Sequence, residues 1–304
     1  MNKPTARWTS LLAAACGLSV MTACPSVAQA PVVKAKAENA REIVGMRRLT
    51  EGEYRRSIAD VFGTGIKVQG RFEPEVRRDG LIAIGAGQAG ISSSGMEQYY
   101  ALASSISMQV MGKDGRKTFV PCAPASAKAA DDACAGKFFA KYGRMLYRRP
   151  LEAAELKTLV GTARQVATST KDFHAGLEET LTTMLASPNF LFRIERSTGT
   201  GANGQPILDD YSRAARLSFL FWDAPPDDEL LLAADRGDLS TSEGLSKQVD
   251  RLAASPRLSE GLTAFFDDML QMDLFKTQSK DPARFPKYSQ VLAEDRASRR
   301  SAPS

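Results

Sequence analysis

Residues 49–63 read Leu-Thr-Glu-Gly-Glu-Tyr-Arg-Arg-Ser-Ile-Ala-Asp-Val-Phe-Gly, and they already speak for helices. Thr50 is a helix cap with Glu53 three positions on, the two halves of a capping box. Leu49 before the cap and Tyr54 after it fit a hydrophobic staple. Tyr54, Ile58, Val61 and Phe62 recur at helical spacing, and Gly63 can end the helix. Arg47, Arg48, Arg55 and Arg56 read as a solvated face. The same grammar repeats outward along the chain. A helix is expected over Met96 to Met111. Asp131 or Asp132 caps another to about Tyr147, with Phe138, Phe139, Tyr142, Met145 and Leu146 on its apolar side. Pro150 interrupts, and helices follow over Glu152 to Ala167 and from near Thr170 to Ser187. Ser187 with Pro188 is a cap and a first-turn proline, so a new turn begins there. Asp209 or Asp210 caps a helix through Tyr211, Leu217, Leu220 and Phe221. Pro225 and Pro226 break it, and Asp227, Asp228 and Glu229 open a short one. Helices over Glu243 to Ala254 and after Ser255-Pro256 complete the set. Only Leu81 to Ile84 and Phe190 to Ile194 read as short strands, and Ser197 to Gln205 reads as a linker. The expectation is an all-α, irregular multi-helix bundle of roughly nine helices. It carries one long glycine-rich loop, Gly63 to Gly95, of a length that is often functional.

The chain has 304 residues, 43% hydrophobic and 25% charged, which suits a globular protein with a sizeable core. Lys3, Arg7, the apolar run Leu11 to Met21 and the small residues around Ala28 and Ala30 form a three-part export signal. Cleavage is expected after Ala28 or Ala30, with Pro31 favouring Ala28. The competing reading takes Met21-Thr22-Ala23-Cys24 as a lipobox, which would anchor the protein through Cys24. No later stretch reaches membrane-spanning length. The formal charge is +5, and +3 without residues 1–30, mixed along the chain, so nucleic acid is not expected as a partner. Cys122 and Cys134 are the two cysteines beyond the leader. They flank a turn-rich loop, and in an oxidising compartment they are expected to pair, the alternative being two free thiols.

Candidate chemistry is sparse. Gly85-Ala86-Gly87-Gln88-Ala89-Gly90 matches a dinucleotide-binding pattern, but no second strand or ribose-binding acid follows it, so it reads as a decoy. The one histidine, His174, lies on a helix with Glu178 one turn on, an exposed pair rather than part of a triad. No haem-attachment motif is present, and no cofactor is expected. Asp223, Asp227, Asp228 and Glu229 could hold Ca²⁺, but acids after Pro-Pro also favour a helix start with no metal. Trp222 could stack on a sugar, or close an apolar helix face as core. The binding candidates are therefore Trp222, Asp223 and Asp227.

Several segments together carry a resemblance. Arg47-Arg48-Leu49-Thr50 with Glu53-Tyr54 and Ile58 to Gly63 is one. Tyr147-Arg148-Arg149-Pro150-Leu151 after the cysteine loop is another, as is Leu185 to Glu195. Arg216 to Trp222, Pro225 to Leu230 and Phe285-Pro286 complete the set. The sequence resembles a bacterial secreted family with domains of unknown function 1587, 1595 and 1592 in tandem. The residues ahead of Arg47 read as a signal peptide (1–30) and a tether (31–46). The resemblance implies helical domains over 47–112 and 122–196 and a third over 206–304, which stops short of the family's pattern and reads as truncated. It implies export, association with c-type cytochromes, and no established catalytic residues. The polar tail from Ala293 to Ser304 reads as a shortened end. The leading expectation is an accessory or binding component of the periplasm or cell surface, near a redox or polymer-degrading system. Its partner would be a c-type cytochrome or another envelope protein. The rival is an enzyme or redox component acting on extracellular polymer through carboxylates such as Asp223 or Asp227. A truncated remnant without activity is the third.

Overall fold

The computed structural model describes residues 42–276, 281 and 283–286. The leader with Cys24, Ala28 and Ala30, the tether up to residue 41, and the tail from Ala293 lie outside the described residues.

The chain enters as a strand, β1 (Glu42–Arg48), and turns into α1 (Glu51–Phe62). Thr50 Oγ1 accepts from the Glu53 amide at 3.2 Å, and the Glu53 carboxylate accepts from the Thr50 amide at 2.8 Å. This is the capping box expected from the sequence. A long loop follows, broken by the single turn α2 (Ile82–Gly85), and leads into α3 (Ser93–Met111) and the short α4 (Gly115–Phe119). Then come α5 (Asp132–Tyr147), capped by Asp131, α6 (Ala153–Thr170), α7 (Phe173–Leu185) and α8 (Pro188–Leu191), capped by Ser187. Strands β2 (Phe192–Thr200) and β3 (Pro206–Leu208) form a hairpin. After it come α9 (Asp210–Trp222), capped by Asp209, α10 (Asp228–Asp235), α11 (Ser242–Ala254) and α12 (Leu258–Met269). Nine of these helices run eight residues or more, so the fold is mostly α as expected.

The departure is a small antiparallel sheet, ordered β1-β2-β3. Arg48 pairs with Phe192 and Met46 with Ile194. Residues 42–46, read as tether, are strand. Much of the segment read as a linker, Ser197 to Gln205, is the end of β2 and its turn, closed by the Gly201 amide on the Gln205 carbonyl at 2.8 Å. Leu81 to Ile84, read as strand, is the entry to α2, and Phe190 and Leu191 are helical before β2 begins. The reason is range. β1 finds its partner some 150 residues away, and half-exposed strands leave no clear alternation in their own sequence.

Two apolar cores result. In the first, Tyr54, Ile58 and Phe62 of α1 pack with Phe138, Phe139 and Tyr142 of α5, Leu177 and Leu181 of α7, and Phe190. Phe62 and Tyr142 stack at 5.1 Å. This core crosses the boundary between 47–112 and 122–196, and the described residues fall in one compact unit. The second core gathers Trp222, Leu230, Leu239 and Leu252. Cys122 and Cys134 form a disulfide that ties the loop to the start of α5.

Candidate functional site

A groove of about 1340 Å³ lies between α1, the loop 72–86, β2, α9 and α12. The capping box that starts α1 also builds its floor. Glu53 is buried, and its second oxygen pairs with Arg193 of β2 at 3.3 Å. Arg193 lies over the Phe219 ring at 4.6 Å, a cation–π contact that tethers β2 to α9. One turn along α1, the Arg56 guanidinium pairs with the Asp223 carboxylate, and its Nε donates to the Asp223 carbonyl at 2.7 Å. Asp223 ends α9 in a left-handed conformation (φ 52°), which turns its carboxylate back towards α1.

The glycine-rich loop forms the opposite wall and is pinned at both ends. Arg48 donates to the carbonyls of Pro74 (2.6 Å) and Gly90 (2.9 Å). Arg77 pairs with Asp268 of α12 at 2.8 Å and also bonds Asp273. Asp268 in turn accepts the Ile82 and Ala83 amides at 2.9 and 3.0 Å. A carboxylate of the protein therefore takes the first amides of α2. Gly85 is glycine for packing: a Cβ there would meet the Val76 carbonyl oxygen at 1.8 Å. Gly85 to Gly90 does not form the strand–turn–helix unit that the dinucleotide pattern requires.

Most lining charges are paired. Arg216 grips Glu195 with both nitrogens at 2.6 and 2.7 Å and holds that carboxyl below its usual range against the opposing effect of burial. Glu75 differs. Burial pushes its carboxyl up, and the neighbouring Glu51 and Glu53 add to the rise, while the Glu51 amide that it accepts at 2.7 Å opposes it. Sequence reading did not find Glu75, because only the fold brings it beside α1. The lining also carries exposed apolar groups, Leu220 (74% exposed) and Phe265 among them.

The three sequence candidates separate. Asp223 lines the groove. Trp222 is 2% exposed, donates from Nε1 to the Leu252 carbonyl at 3.1 Å and lies under Arg251 and Arg257, so it is core rather than a sugar platform. Asp227 caps α10 through the Leu230 amide at 2.9 Å, and both its oxygens bond Arg251, at 2.7 and 2.9 Å, away from the groove. Among the described residues, no three or more His, Cys, Asp or Glu side chains gather to hold a metal. His174 is not the exposed partner of Glu178 that its spacing suggested. It is half-buried at the start of α7, 3.8 Å from Asp172, and burial and Arg116 lower its pKa.

Three family models match the chain. The one described as protein of unknown function (DUF1587) covers residues 47–112, DUF1595 covers 134–195 and DUF1592 covers 208–301. No curated protein and no solved structure matches.

Proposed function

The chain carries domains of unknown function 1587, 1595 and 1592 in tandem, and from that premise we propose that it is an accessory binding protein of the bacterial envelope. Its groove receives a polypeptide segment of a partner. One observation carries this reading: residues from all three matched segments build the one groove. At about 1340 Å³ it exceeds the roughly 300–1,000 Å³ typical of small-molecule pockets. Its lining combines exposed apolar side chains with nine carboxylates and six guanidinium groups, a balance that favours a basic amphipathic segment. The export signal read over residues 1–30 supports an envelope location, with Cys24 lipidation as the alternative. A c-type cytochrome is one partner class that the family resemblance suggests. The test places a photo-reactive residue at Leu220 in cells. A discrete adduct that disappears with Phe265→Lys supports the reading, and labelling indifferent to that change removes it.

An enzymatic reading is favoured by one observation: Glu75, a carboxylate pushed up by burial, shares the groove with Asp223. Raised carboxyls serve as general acids. On this reading, Glu75→Gln lowers turnover of an extracellular polymer by at least about 10²-fold in a substrate screen. An activity unchanged by both Glu75→Gln and Asp223→Asn would exclude these carboxylates.

A further inference from the structure

On the other side of a wall formed by Ile194, Ser212 and Ala215, which line both hollows, lies a second, smaller one of about 20 Å³. Its charges do not balance. Arg148, Arg149 and Arg196 line it, against one lining carboxylate, Asp209, which caps α9 through the Ser212 amide at 2.8 Å. Arg149 is satisfied, because both its Nη atoms reach Glu155 at 2.7 Å. Glu155 also takes the Glu152 amide at 2.8 Å, so its oxygens are committed, although the charge of Arg196 is close enough to act on it. The other two guanidinium groups form no ion pair with a carboxylate of any described residue. Arg148 is 4% exposed, and its Nη2 donates only to the carbonyls of Asn189, Phe190 and Phe192. Its Nη1 is buried with no hydrogen-bond partner among the described residues. The Arg196 side chain makes no hydrogen bond or ion pair with any described residue. Among the described residues, three guanidinium groups thus face two carboxylates, one positive charge in excess at a partly enclosed point, and buried charge of this kind calls for a counter-charge.

We propose that this hollow is a carboxylate-binding pocket, independent of the groove reading. The Arg196 guanidinium faces the ligand, and Arg148 and Arg149 supply positive charge behind it. The volume selects the chemistry. It takes roughly one or two oxygen-sized atoms, enough for the two-oxygen head of a carboxylate whose remainder stays outside. The three free oxygens of a phosphoryl group do not fit. A planar carboxylate also matches the guanidinium fork, which a point-like anion does not.

The experiment uses the purified chain without its leader and the sodium salts of formate, acetate, chloride and phosphate at one ionic strength. The expected result is a saturable rise in melting temperature with formate and acetate. In parallel, ¹³C-formate should broaden in NMR spectra on addition of protein. Both responses should vanish in Arg196→Gln and persist in Arg164→Gln, a distant surface control. Equal melting temperatures in all four salts with unbroadened formate would overturn the site. So would a formate response kept by Arg196→Gln. A larger response to phosphate than to formate would overturn the carboxylate assignment. If Arg196→Gln fails to fold, ¹³C-formate broadening in the wild type, competed by acetate and not by chloride, decides.

Discussion

Asp227 shows how a residue chosen for chemistry can be structural. An acid after Pro-Pro has two possible roles, ligand or cap, and local sequence does not separate them. The fold gives Asp227 the cap of α10 and a two-pronged pair with Arg251. Burial pushes its carboxyl up, but Arg251 and the Leu230 amide outweigh burial and hold it below the usual range. A carboxyl depressed in the folded state contributes stability that is complete above its unfolded value of about 3.9 and is lost as the pH falls through the lower folded value. Asp227→Asn keeps a cap acceptor and loses the ion pair. It should cost on the order of 1 kcal/mol or less at pH 7, since the pair is partly exposed. In urea melts, the gap from wild type should close between about pH 4 and pH 2. A gap of the same size at both ends of that range would refute the ion-pair account. Asp223 and Trp222 are sequence neighbours with opposite fates, one on the groove wall and one in the core, because α9 ends between them.

At the scale of elements, helices were legible because their start signals are local. Thr50, Asp131, Ser187 and Asp209 each cap the helix that follows them. The strands were mostly missed because their stabilising partners are distant. The placement of α12 shows the same division. Leu262, Phe265, Phe266, Met269 and Leu270 recur at helical spacing and suggest a buried face, yet all five are exposed. The helix docks on α9 through Gly261 instead, where a Cβ would meet the Phe221 carbonyl oxygen at 2.2 Å. Gly261→Leu should therefore push α12 from α9, break the Arg77–Asp268 link and free the loop 72–86. Limited proteolysis should then cut within that loop much faster than in wild type. Phe266→Lys, on the exposed stripe, should leave the cleavage pattern unchanged and shift stability by no more than about 0.5 kcal/mol. A Gly261→Leu protein with wild-type cleavage would refute the docking argument.

For the whole molecule, the two cores share α9. Phe219 belongs to the first and Trp222 to the second. Unfolding followed by helix signal and by Trp222 fluorescence should therefore give one midpoint, and two separated midpoints would show independent units. The disulfide closes a short loop beside the first core. Its loss should cost about 3 kcal/mol on the chain-entropy account. For a chain of this size that corresponds to a fall in Tm of roughly 6–12 °C. Thermal melts with and without reductant measure it, and a shift below about 2 °C would mean that the bridge adds little to chain order.

The sequence by itself determined the helices, their caps, the cysteine pair and the tandem family identity. Each of these depends on residues close together in the chain or on a pattern read in order. Only the tertiary structure decided the sheet, the first core running through all three matched segments, and the groove with its second, smaller neighbour. Arg56 meets Asp223, Arg77 meets Asp268 and Glu53 meets Arg193 across 140 to 191 residues. Charge pairs at such separations leave no periodicity for a local pattern to carry, so their assembly into a site becomes visible only when the chain is folded.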